Sequence, residues 1–412
     1  MNRVNELIKE YCPDGVEIRC LEDCCNLLDK KRKPITKAVR EAGEYPYYGA
    51  NGIQDYVANY IFDGTFVLVG EDGSVITKSG SPVVTWAEGK IWVNNHAHII
   101  EEKDGVILRY LYHYLQTIDV TSLIHGNIPK LTGGDFKALK IAVPPLEVQR
   151  EIVHILDSFT LLTAELTAEL TARKKQYNFY RDKLLSHDGI YPMKPLAELG
   201  KWSGGKTPSM SEKSFWEQGT IPWISSKDMK SSTLEDTQDH ITEKAVKEAS
   251  MTVYPANGIA VVTRSGILKH TFPVAYVPFE TTINQDIKML VVNEDILPRY
   301  AFHVIQGKGN DILIKTKKQG GTVDSLDFQK VLAYKVPVPS KDVQGKLVEV
   351  LDNFESICTD LNIGLPAEIE ARQKQYEYYR DLLLTFAETG STLMTDRQTD
   401  RQTDRQTDRQ TD

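Results

Sequence analysis

Apolar side chains recur at three- and four-residue steps from Val148 to Leu185, and this spacing predicts one long amphipathic helix. The stripe contains Val148, Ile152, Val153, Ile155, Leu156, Phe159, Leu162, Leu166, Leu170, Tyr177, Tyr180, Leu184 and Leu185. At about 1.5 Å per residue, such a helix would be roughly 57 Å long. The helix cannot bury its stripe alone, so the pattern also predicts a packing partner.

A second stripe with the same spacing runs from Val343 to Leu383 and includes Leu351, Phe354, Tyr376 and Tyr379. Gly364 and Pro366 interrupt it, so we expect a kink or a short break there. The simplest arrangement is that the two helices pack on each other, antiparallel, as a coiled-coil-like pair. In the alternative arrangement each stripe packs only on its own globular neighbour.

The two stripes belong to an internally duplicated sequence. RKKQYNFYRDKLL at 173–185 returns as RQKQYEYYRDLLL at 372–384, and VPPLEVQREIVHILDSF at 143–159 returns as VPSKDVQGKLVEVLDNF at 338–354. The segment Asp14-Gly15-Val16 echoes Asp188-Gly189-Ile190, so the repeat unit is circularly permuted across the termini. The segments between the copies differ. This organisation predicts pseudo-two-fold symmetry and two different recognition surfaces on one repeated scaffold.

The segments between the copies are rich in strand-forming runs separated by glycines. Such runs are Thr65–Val69, Ser81–Thr85, Ile91–Val93, Gly258–Thr263 and Phe272–Val277. We therefore predict an α+β protein in which two mixed α/β domains are separated by two long antiparallel coiled-coil spacer helices. The predicted segments are a first domain at 1–145, a first spacer helix at 146–187, a second domain at 188–338, a second spacer helix at 339–386 and a tail at 387–412.

Two short tandem repeats stand out. The sequence TAEL occurs twice in the first helix, at Thr163–Leu166 and Thr167–Leu170. It is either an ordinary amphipathic pattern or a ruler, since each unit lengthens a helix by about 6 Å and turns it by about 40°. One base pair of DNA advances by about 3.4 Å and about 35°. A one-unit change would then shift two recognition modules by roughly one base pair.

The second repeat is TDRQ in the tail, which has no apolar residue from Thr395 onward and is predicted to be disordered. It serves either as a charged solubility tail or as the product of a slipping ACAG tract, which encodes Thr-Asp-Arg-Gln. In the second case the C-terminal extension would be phase-variable.

Composition narrows the class of protein. No apolar run reaches the roughly 18 residues needed to span a bilayer, and Met1–Glu10 does not resemble a signal peptide, so we expect a cytoplasmic protein without a membrane partner. Five unevenly placed cysteines do not suit a disulfide framework. The net charge of −8 argues against nucleic acid, but the basic runs Lys30-Lys31-Arg32-Lys33 and Lys315, Lys317 and Lys318 soften that argument.

Catalytic and metal motifs are weak. Gly200–Thr207 matches the phosphate-loop pattern, but Pro208 and Ser209 follow where a helix should begin, so we reject it as a nucleotide site. His96 and His98 would share one face of a strand without an evident third ligand, and we predict no metal site. No hydrolase elbow, adenine-methylating motif or nuclease pattern is found. These absences favour a binding protein over an enzyme.

Polar and aromatic residues near predicted turns are the candidate DNA contacts, because such side chains read base edges or hold phosphates. In the first domain they are Tyr47, Tyr48, Asn51, Asn94, Asn95 and His96. In the second they are Lys206, Thr207, Trp223, Ser225, Lys227, Arg264, Ser265, Asn284 and Gln285.

Taken together, these segments resemble the specificity subunit of type I restriction–modification enzymes, over nearly the whole chain. The resemblance lies in the duplicated helices and lead-ins, CPDGVEIRCLED, YPYYGANG, GEDGS, TGGDFKALKIAVPP, GGKTPS, IPWISSKDM and INQDIK. The tandem TAEL also resembles a spacer repeat of that family. The TDRQ tail and the interruption at Gly364 depart from the family pattern.

The resemblance implies a non-catalytic subunit of a methyltransferase–endonuclease complex. Each domain would read one half of a split, asymmetric double-stranded DNA site. The spacer helices would fix the gap and dock two methyltransferase subunits, which bind S-adenosylmethionine; restriction subunits would join for cleavage. The chain itself would hold no cofactor. The helix residues expected to pack the pair or meet a partner are Leu156, Phe159, Leu166, Leu170, Tyr177, Tyr180, Leu351, Phe354, Tyr376 and Tyr379.

Two other functions remain open from the residues alone. A single-chain enzyme would join recognition to its own modification chemistry, and methylation by the purified chain would reveal it. A structural coiled-coil adaptor would show no salt-dependent DNA binding with or without partners.

Overall fold

The computed structural model describes residues 2–73, 75–185, 190–318, 323–360 and 362–385. The TDRQ tail and the echo at Asp188-Gly189 lie outside the described residues, so the inferences drawn from them stay predictions.

The described residues form helices and strands in mixed order, as expected for an α+β protein. The α-helices are α1 (Asn2–Tyr11), α2 (Leu21–Cys24), α3 (Leu108–Leu115), α4 (Gly133–Ala138), α5 (Leu146–Leu184), α6 (Glu243–Glu248), α7 (Pro298–Gly307), α8 (Gly309–Thr316), α9 (Phe328–Ala333), α10 (Lys341–Thr359) and α11 (Leu365–Leu384).

The strands fall into two series. The first is β1 (Glu17–Cys20), β2 (Asn26–Leu27), β3 (Ala42–Gly49), β4 (Gly52–Val57), β5 (Phe62–Gly70), β6 (Val84–Val93), β7 (Ala97–Glu101), β8 (Ile124–His125), β9 (Lys130–Leu131) and β10 (Lys140–Val143). The second is β11 (Met193–Pro195), β12 (Gly200–Gly204), β13 (Ile221–Ile224), β14 (Asp239–Ile241), β15 (Gly258–Val262), β16 (Val274–Val277), β17 (Thr282–Ile283), β18 (Ile287–Val292) and β19 (Lys335–Pro337).

The chain divides into two compact units. The first contains the described parts of Met1–Leu166 and Glu368–Asp412, and the second contains those of Thr167–Ala367. Each unit therefore combines one strand-rich domain with parts of the long helices. The predicted boundaries at 145, 187, 338 and 386 follow the change from strands to helices instead, and they stay predictions.

In the first unit a six-stranded sheet has the order β2-β7-β5-β6-β3-β4. Its central strand β5 is continuously buried from Phe66 to Gly70, because one face meets a small apolar core and the other faces α3 and the long helices. Burial on both faces selects a continuous apolar run rather than an alternating one. Only β3 and β6 pair in parallel; the other neighbours are antiparallel.

In the second unit an antiparallel four-stranded sheet has the order β12-β18-β15-β16. A smaller three-stranded sheet, β14-β13-β17, lies within the same unit. Strand β15 is buried over its full length, and the apolar core that covers it includes residues of α7 and α10. Each unit thus has a sheet-based core of its own.

The extent of strand β6 differs from the prediction. The runs Ser81–Thr85 and Ile91–Val93 were expected to be separate strands, but Val84–Val93 is one ten-residue strand. Gly89 lies within it at φ +76°, a conformation that glycine adopts without steric cost. Gly89 pairs with Gly64 in an unbroken register between β6 and β5, so the glycine lies inside a strand and does not end one.

Helix α5 confirms the long-helix prediction, since it is continuous over 39 residues. The second helix is broken into α10 and α11, as Gly364 and Pro366 predicted. The carboxylate of Asp360 accepts hydrogen bonds from the backbone amides of Asn362 (2.7 Å) and Ile363 (3.1 Å). A Cβ at Gly364 would lie 2.6 Å from the carbonyl oxygens of Asp360 and Ser356, so the break requires glycine.

Each unit pairs its part of α5 with a different helix. In the first unit Phe159 stacks on Tyr379 of α11 with ring centroids 5.2 Å apart. In the second unit Tyr180 stacks on Phe354 of α10 at 6.0 Å. Burial raises the pKa of Cys358, and the nearby ammonium of Lys174 opposes that rise. The pairing of 180 with 354 and 174 with 358 shows that α5 and α10 run antiparallel.

The duplication is visible at the level of single hydrogen bonds. In the first unit Gln149 accepts from the amide of Ile107 (2.9 Å) and donates to the carbonyls of Gly105 and Pro144. In the second unit Gln344 accepts from the amide of Leu297 (2.8 Å) and donates to the carbonyls of Asp295 and Pro339. The paired ribbons β1–β10 and β11–β19 also correspond. The internal pseudosymmetry is therefore structural as well as sequential.

Candidate nucleic-acid interface

In the first unit, the polar turns that follow β3 and β6 lie side by side because these strands are neighbours in the sheet. The amide of Asn94 donates to the carbonyl of Tyr48 (3.1 Å), which joins the two turns. Asn51 and Asn95 are exposed, and the ring of His96 is 45% exposed and paired with Asp72. Two amide side chains and an imidazole are thus available to solvent at this edge.

A basic segment lies next to these turns. Lys30, Lys31, Lys33 and Lys37 are exposed, and the indole of Trp92 on β6 donates to the carbonyl of Lys33 at 2.6 Å. Lysines beside polar turns provide the phosphate contacts that such an interface needs. The sequence-based candidates omitted these lysines, although the Lys30–Lys33 charge run was the signal that could have found them.

Three candidates of the first unit are buried in the structure. Tyr47, Tyr48 and Asn94 are only 1%, 7% and 3% exposed. The hydroxyl of Tyr47 accepts from the amide of Ile35, and Arg40 lies 4.0 Å above its ring. Asn94 holds its own turn by accepting from the amide of His96. These side chains shape the edge from inside, so we do not retain them as base contacts.

In the second unit, the exposed candidates form one connected group. The hydroxyl of Thr207 donates to Gln285, Gln285 donates to Asp286 (3.0 Å), and Arg264 pairs with Asp286 at 2.7 Å. Lys206 is exposed beside Thr207, and the half-buried Ser265 follows Arg264. The Arg264 side chain is 58% exposed, so its ion pair is weak and the guanidinium can exchange partners.

Lys227 is a further exposed cation of the second unit. Its side chain is 62% exposed, and its ammonium lies 3.2 Å from Asp239. Lys206, Lys227 and Arg264 are thus the exposed cations among the candidates of this unit. The two units therefore present different side chains to solvent.

Three candidates of the second unit are also buried. Trp223, Ser225 and Asn284 are 6%, 5% and 6% exposed. Trp223 packs edge-on against Trp216 and donates from its indole to the carbonyl of Lys206 (3.1 Å). Ser225 donates to Asp228, and Asn284 accepts from the amide of Asp286. These groups hold the loops, which explains why residues typical of base readers occur at buried positions.

The phosphate-loop pattern is not a phosphate cradle. Gly200–Gly204 forms strand β12, paired with β18, and only a three-residue 3₁₀ turn at Lys213–Phe215 follows in this described part of the chain. A Cβ at Gly205 would lie 1.8 Å from the carbonyl oxygen of Ile283. The glycines therefore serve close backbone packing rather than phosphate binding.

The two histidines of the HAH segment have different environments, contrary to the expected shared strand face. His96 lies in a turn, whereas His98 is on β7 and only 1% exposed. The Nδ1 of His98 is 2.6 Å from Asp29, and Glu71 completes a group whose ligand atoms all lie within 4.8 Å. Burial raises the pKa of Asp29, but the hydrogen bond and charge of His98 lower it more, so it lies below its ordinary value.

The group of Asp29, Glu71 and His98 is already paired with basic side chains. Arg32 approaches Glu71 at 2.5 Å and Asp29 at 3.5 Å, and Lys130 approaches Glu71 at 3.3 Å. A second group, His303, Asp352 and Glu355, is likewise paired with Arg299. Guanidinium groups occupy the carboxylates that a metal would need, so both groups act as ion-pair networks.

The ten predicted helix residues mostly lie in the packed seams. Leu156 and Leu351 are fully buried, Tyr177 and Tyr376 are 8% and 5% exposed, and Phe159, Phe354 and Tyr379 pack partly buried against the same cores. Burial raises the pKa of Tyr177 and that of Tyr376 well above the ordinary value for tyrosine. Leu166 and Leu170 of the TAEL repeats are half-buried, and Tyr180 is 39% exposed.

The cysteines of the described residues are all free thiols. Burial raises the pKa of Cys24 to about 11 and that of Cys25 to about 12, so both remain protonated at neutral pH. Across the described residues, no helix combines the length and the apolar character that a bilayer crossing requires.

Comparison with known proteins gives a consistent result. The model of the type I restriction modification DNA specificity domain matches residues 13–173 and 191–371. The specificity subunit of the type I restriction enzymes EcoR124I/EcoR124II from Escherichia coli is 47% identical over 293 residues, which is 69% of this chain and 72% of that protein. A Haemophilus influenzae protein named as a type I restriction enzyme specificity subunit is 35% identical over 391 residues, covering 90% of this chain and 96% of its own length.

A solved structure supports the fold. The crystal structure of a type I restriction–modification S subunit from M. genitalium matches with a TM-score of 0.54 at 17% identity, over 90% of this chain and 97% of that one. The family model matches twice, once in each copy of the duplication. The two matches to relatives each cover more than two thirds of the relative's own length. The chain therefore belongs to the family of type I restriction–modification DNA specificity subunits.

Proposed function

We propose that this chain is the non-catalytic DNA sequence-specificity subunit of a type I restriction–modification enzyme, and that each unit reads one half of a two-part, asymmetric site. The observation that carries the proposal is a repeated scaffold with two unlike exposed edges. The helices, ribbons and glutamine contacts recur in both units, while the exposed polar groups differ. Two different readers on equivalent frames suit a site with two different halves.

In the first unit, the half-site contacts would come from Asn51, Asn95 and His96, with Lys30, Lys31, Lys33 and Lys37 on phosphates. In the second unit, they would come from Lys206, Thr207, Lys227, Arg264, Ser265 and Gln285. Asparagine and glutamine pair with adenine and arginine pairs with guanine in the major groove. These side chains are exposed or half-buried, as base or phosphate contact requires.

The partners of the proposed complex are two methyltransferase subunits, which would bind S-adenosylmethionine, and restriction subunits for cleavage. An exposed aromatic at equivalent positions of the repeat supports binding of two copies of one partner. Phe179 on α5 is 61% exposed and Tyr378 on α11 is 50% exposed. Exposed aromatic side chains on a helix are typical of protein interfaces.

Helix α5 would act as the spacer between half-sites, with its length set by the TAEL units. Thr163–Leu170 contains no buried residue, so its sequence is not fixed by core packing. A length change there would alter the separation between the two half-sites without altering the exposed polar residues that read them.

The decisive experiment is adenine-methylation mapping by long-read sequencing, with this chain and its cognate methyltransferase subunit expressed together in a methylation-free host. A new two-part motif with a fixed gap is the expected result. A complex that assembles but methylates without a two-part motif would contradict the proposal, and so would methylation by this chain without the partner.

A further inference from the structure

A buried polar junction occurs once in each unit, and neither base contact nor the apolar packing of the helices accounts for it. We define the first junction as Arg109, His113, Asp157 and Tyr376. His113 is fully buried; its Nε2 lies 2.8 Å from Asp157 and its Nδ1 lies 2.9 Å from the hydroxyl of Tyr376. Arg109 donates to the same Asp157 oxygen at 2.7 Å. Three helices, α3, α5 and α11, meet in this junction.

The second junction consists of Arg299, His303, Asp352 and Tyr177. Nε2 of the fully buried His303 lies 2.7 Å from Asp352, and its Nδ1 lies 3.3 Å from the hydroxyl of Tyr177. Arg299 donates to the same Asp352 oxygen. Helices α7, α10 and α5 meet here, and all four residues occupy the repeat positions of the first junction.

The hydrogen bonds define the chemistry of both junctions. In the first junction a neutral imidazole donates from Nε2–H to Asp157 and accepts at Nδ1 from the hydroxyl of Tyr376. In the second junction the hydroxyl of Tyr177 lies 3.3 Å from both Nδ1 of His303 and the amide oxygen of Gln306, so these two groups share it. The aspartate carries the charge and also receives the arginine. Both ring nitrogens of each imidazole therefore have partners, and those partners lie on two further helices.

The arginines extend both junctions to the sheets. The guanidinium of Arg109 lies 4.7 Å from the ring centre of Trp86 on β6, and that of Arg299 lies 4.9 Å from the ring centre of Tyr276 on β16. Each also lies on an aromatic of its own helix, Tyr112 or Phe302. One connected set of side chains therefore joins the sheet of each unit to both of its long helices.

We propose that these two junctions are the positioning residues that fix the orientation of each recognition sheet on its helix pair, and thereby set how strictly the enzyme requires one gap length between the half-sites. The inference rests on the proposed function. An apolar cluster would give comparable stability, because buried ion pairs contribute little net free energy over hydrophobic replacements. A fully satisfied polar network instead selects one arrangement among several compact ones.

The recurrence of the junction strengthens this reading. The aromatics that sandwich the arginine differ between units, and Glu355 adds a second acid in the second unit where the repeat has Thr160. The four junction residues nevertheless stay the same. The surroundings have changed while the residues that define orientation have not.

The test uses the full chain in complex with its methyltransferase subunits, on a plasmid library that carries both half-sites at gaps from three base pairs below to three above the native length. Two double variants weaken the junctions, Tyr177→Phe with Tyr376→Phe, and Arg109→Lys with Arg299→Lys. The matched control is Tyr180→Phe with Tyr379→Phe, three residues further along the same helices, where phenylalanine preserves the ring stacking seen in both units.

The readout is the ratio of methylation at neighbouring gaps to methylation at the native gap, measured in one sample. We expect this ratio to rise roughly three- to tenfold in the junction variants, as loss of a discriminating hydrogen bond implies, and to stay unchanged in the control. A uniform loss of methylation at all gaps, with the ratio unchanged, would show a merely stabilising role and overturn the proposal. If the lysine variant fails to assemble, the phenylalanine variant alone decides. A wild-type complex without any two-part motif would instead refute the proposed function.

Discussion

At the scale of the residue, a polar or aromatic side chain in a turn has two uses, and exposure distinguishes them. Asn95 and Gln285 are exposed next to Asn94 and Asn284, which are buried and hold their turns by accepting backbone amides. Sequence alone cannot separate such neighbours, because both types of residue suit turns and bases equally well. The composition of the interface could be predicted, but the choice of individual residues could not.

Arg264 is the residue for which we expect the clearest effect on recognition. Arg264→Ala should weaken binding of one half-site by about 1–3 kcal/mol, since a bidentate base contact contributes this much. Competition binding by the methyltransferase complex to sites varied in one half at a time measures it. Arg150→Ala is the control, because Arg150 is also exposed and paired on a helix. Equal losses for both half-sites would contradict the assignment.

His113 makes the stability of the first unit depend on pH. Burial lowers its pKa, with Asp157 opposing this shift and the charges of Arg109 and Arg380 adding to it. The folded protein therefore keeps His113 neutral at a pH where the unfolded chain binds a proton, so the free energy of unfolding should fall as the pH drops below about 6.5. Urea unfolding at pH 8 and pH 5 should show a smaller pH effect in His113→Gln than in the wild type.

The Asp157 carboxylate affects the free energy of unfolding in a lower pH range than His113. Burial raises its pKa, but the hydrogen bonds from His113 and Arg109 lower it more, so its folded pKa lies below the ordinary value. Its contribution to stability is present above about pH 4 and is lost as the pH falls further. A loss of stability of the same size between pH 8 and pH 5 in the wild type and in His113→Gln would contradict the assignment to His113.

At the scale of the element, hydrophobic periodicity was sufficient for the helices and less so for the strands. The three- and four-residue stripe predicted α5 to within two residues at its start and one at its end. Strand β6 was divided in error because Gly89 resembles a turn, although a strand can contain a glycine with positive φ. The junction residues were not predicted as a set, since His113, Asp157 and Tyr376 are far apart in the sequence.

The break between α10 and α11 is expected to depend on Gly364. In Gly364→Ala the new methyl group would meet two backbone carbonyl oxygens at 2.6 Å, and backbone cannot yield as a side chain can. The cost should be about 1–3 kcal/mol in the free energy of unfolding. Gly266→Ala, with no atom within 4 Å of its Cβ, provides the control for chemical denaturation. Equal midpoints for the two variants would exclude this role.

Deletion of Thr167–Leu170 tests the spacer. One TAEL unit remains, the helix keeps its pattern of leucines, and neither recognition edge is changed. We expect the methylated motif to keep both half-sites and to lose about one base pair from its gap. Methylation mapping checks this, with Thr167–Leu170 replaced by four alanines as a length-matched control. A change in the bases read would refute the ruler.

At the scale of the whole molecule, the net charge of −8 limits how tightly the isolated chain can bind DNA. We expect the isolated chain to bind duplex DNA only in the non-specific range, with Kd of about 10⁻⁴–10⁻⁶ M. The complex with methyltransferase subunits should bind at least about a hundredfold more tightly. Fluorescence anisotropy at several salt concentrations measures both, and tight specific binding by the isolated chain would contradict this view.

The paired ribbons at the base of each domain have a consequence for how the protein changes over time. Because β1 lies beside β10 and β11 lies beside β19, each recognition insert leaves and rejoins its frame at one place. What lies between the two strands can be replaced without moving the helices, provided that its ends meet the same ribbon and that it keeps the arginine and histidine of the junction. New specificities therefore need not arise by point mutation; an entire reader can be exchanged while the frame, and everything that binds to it, is inherited intact.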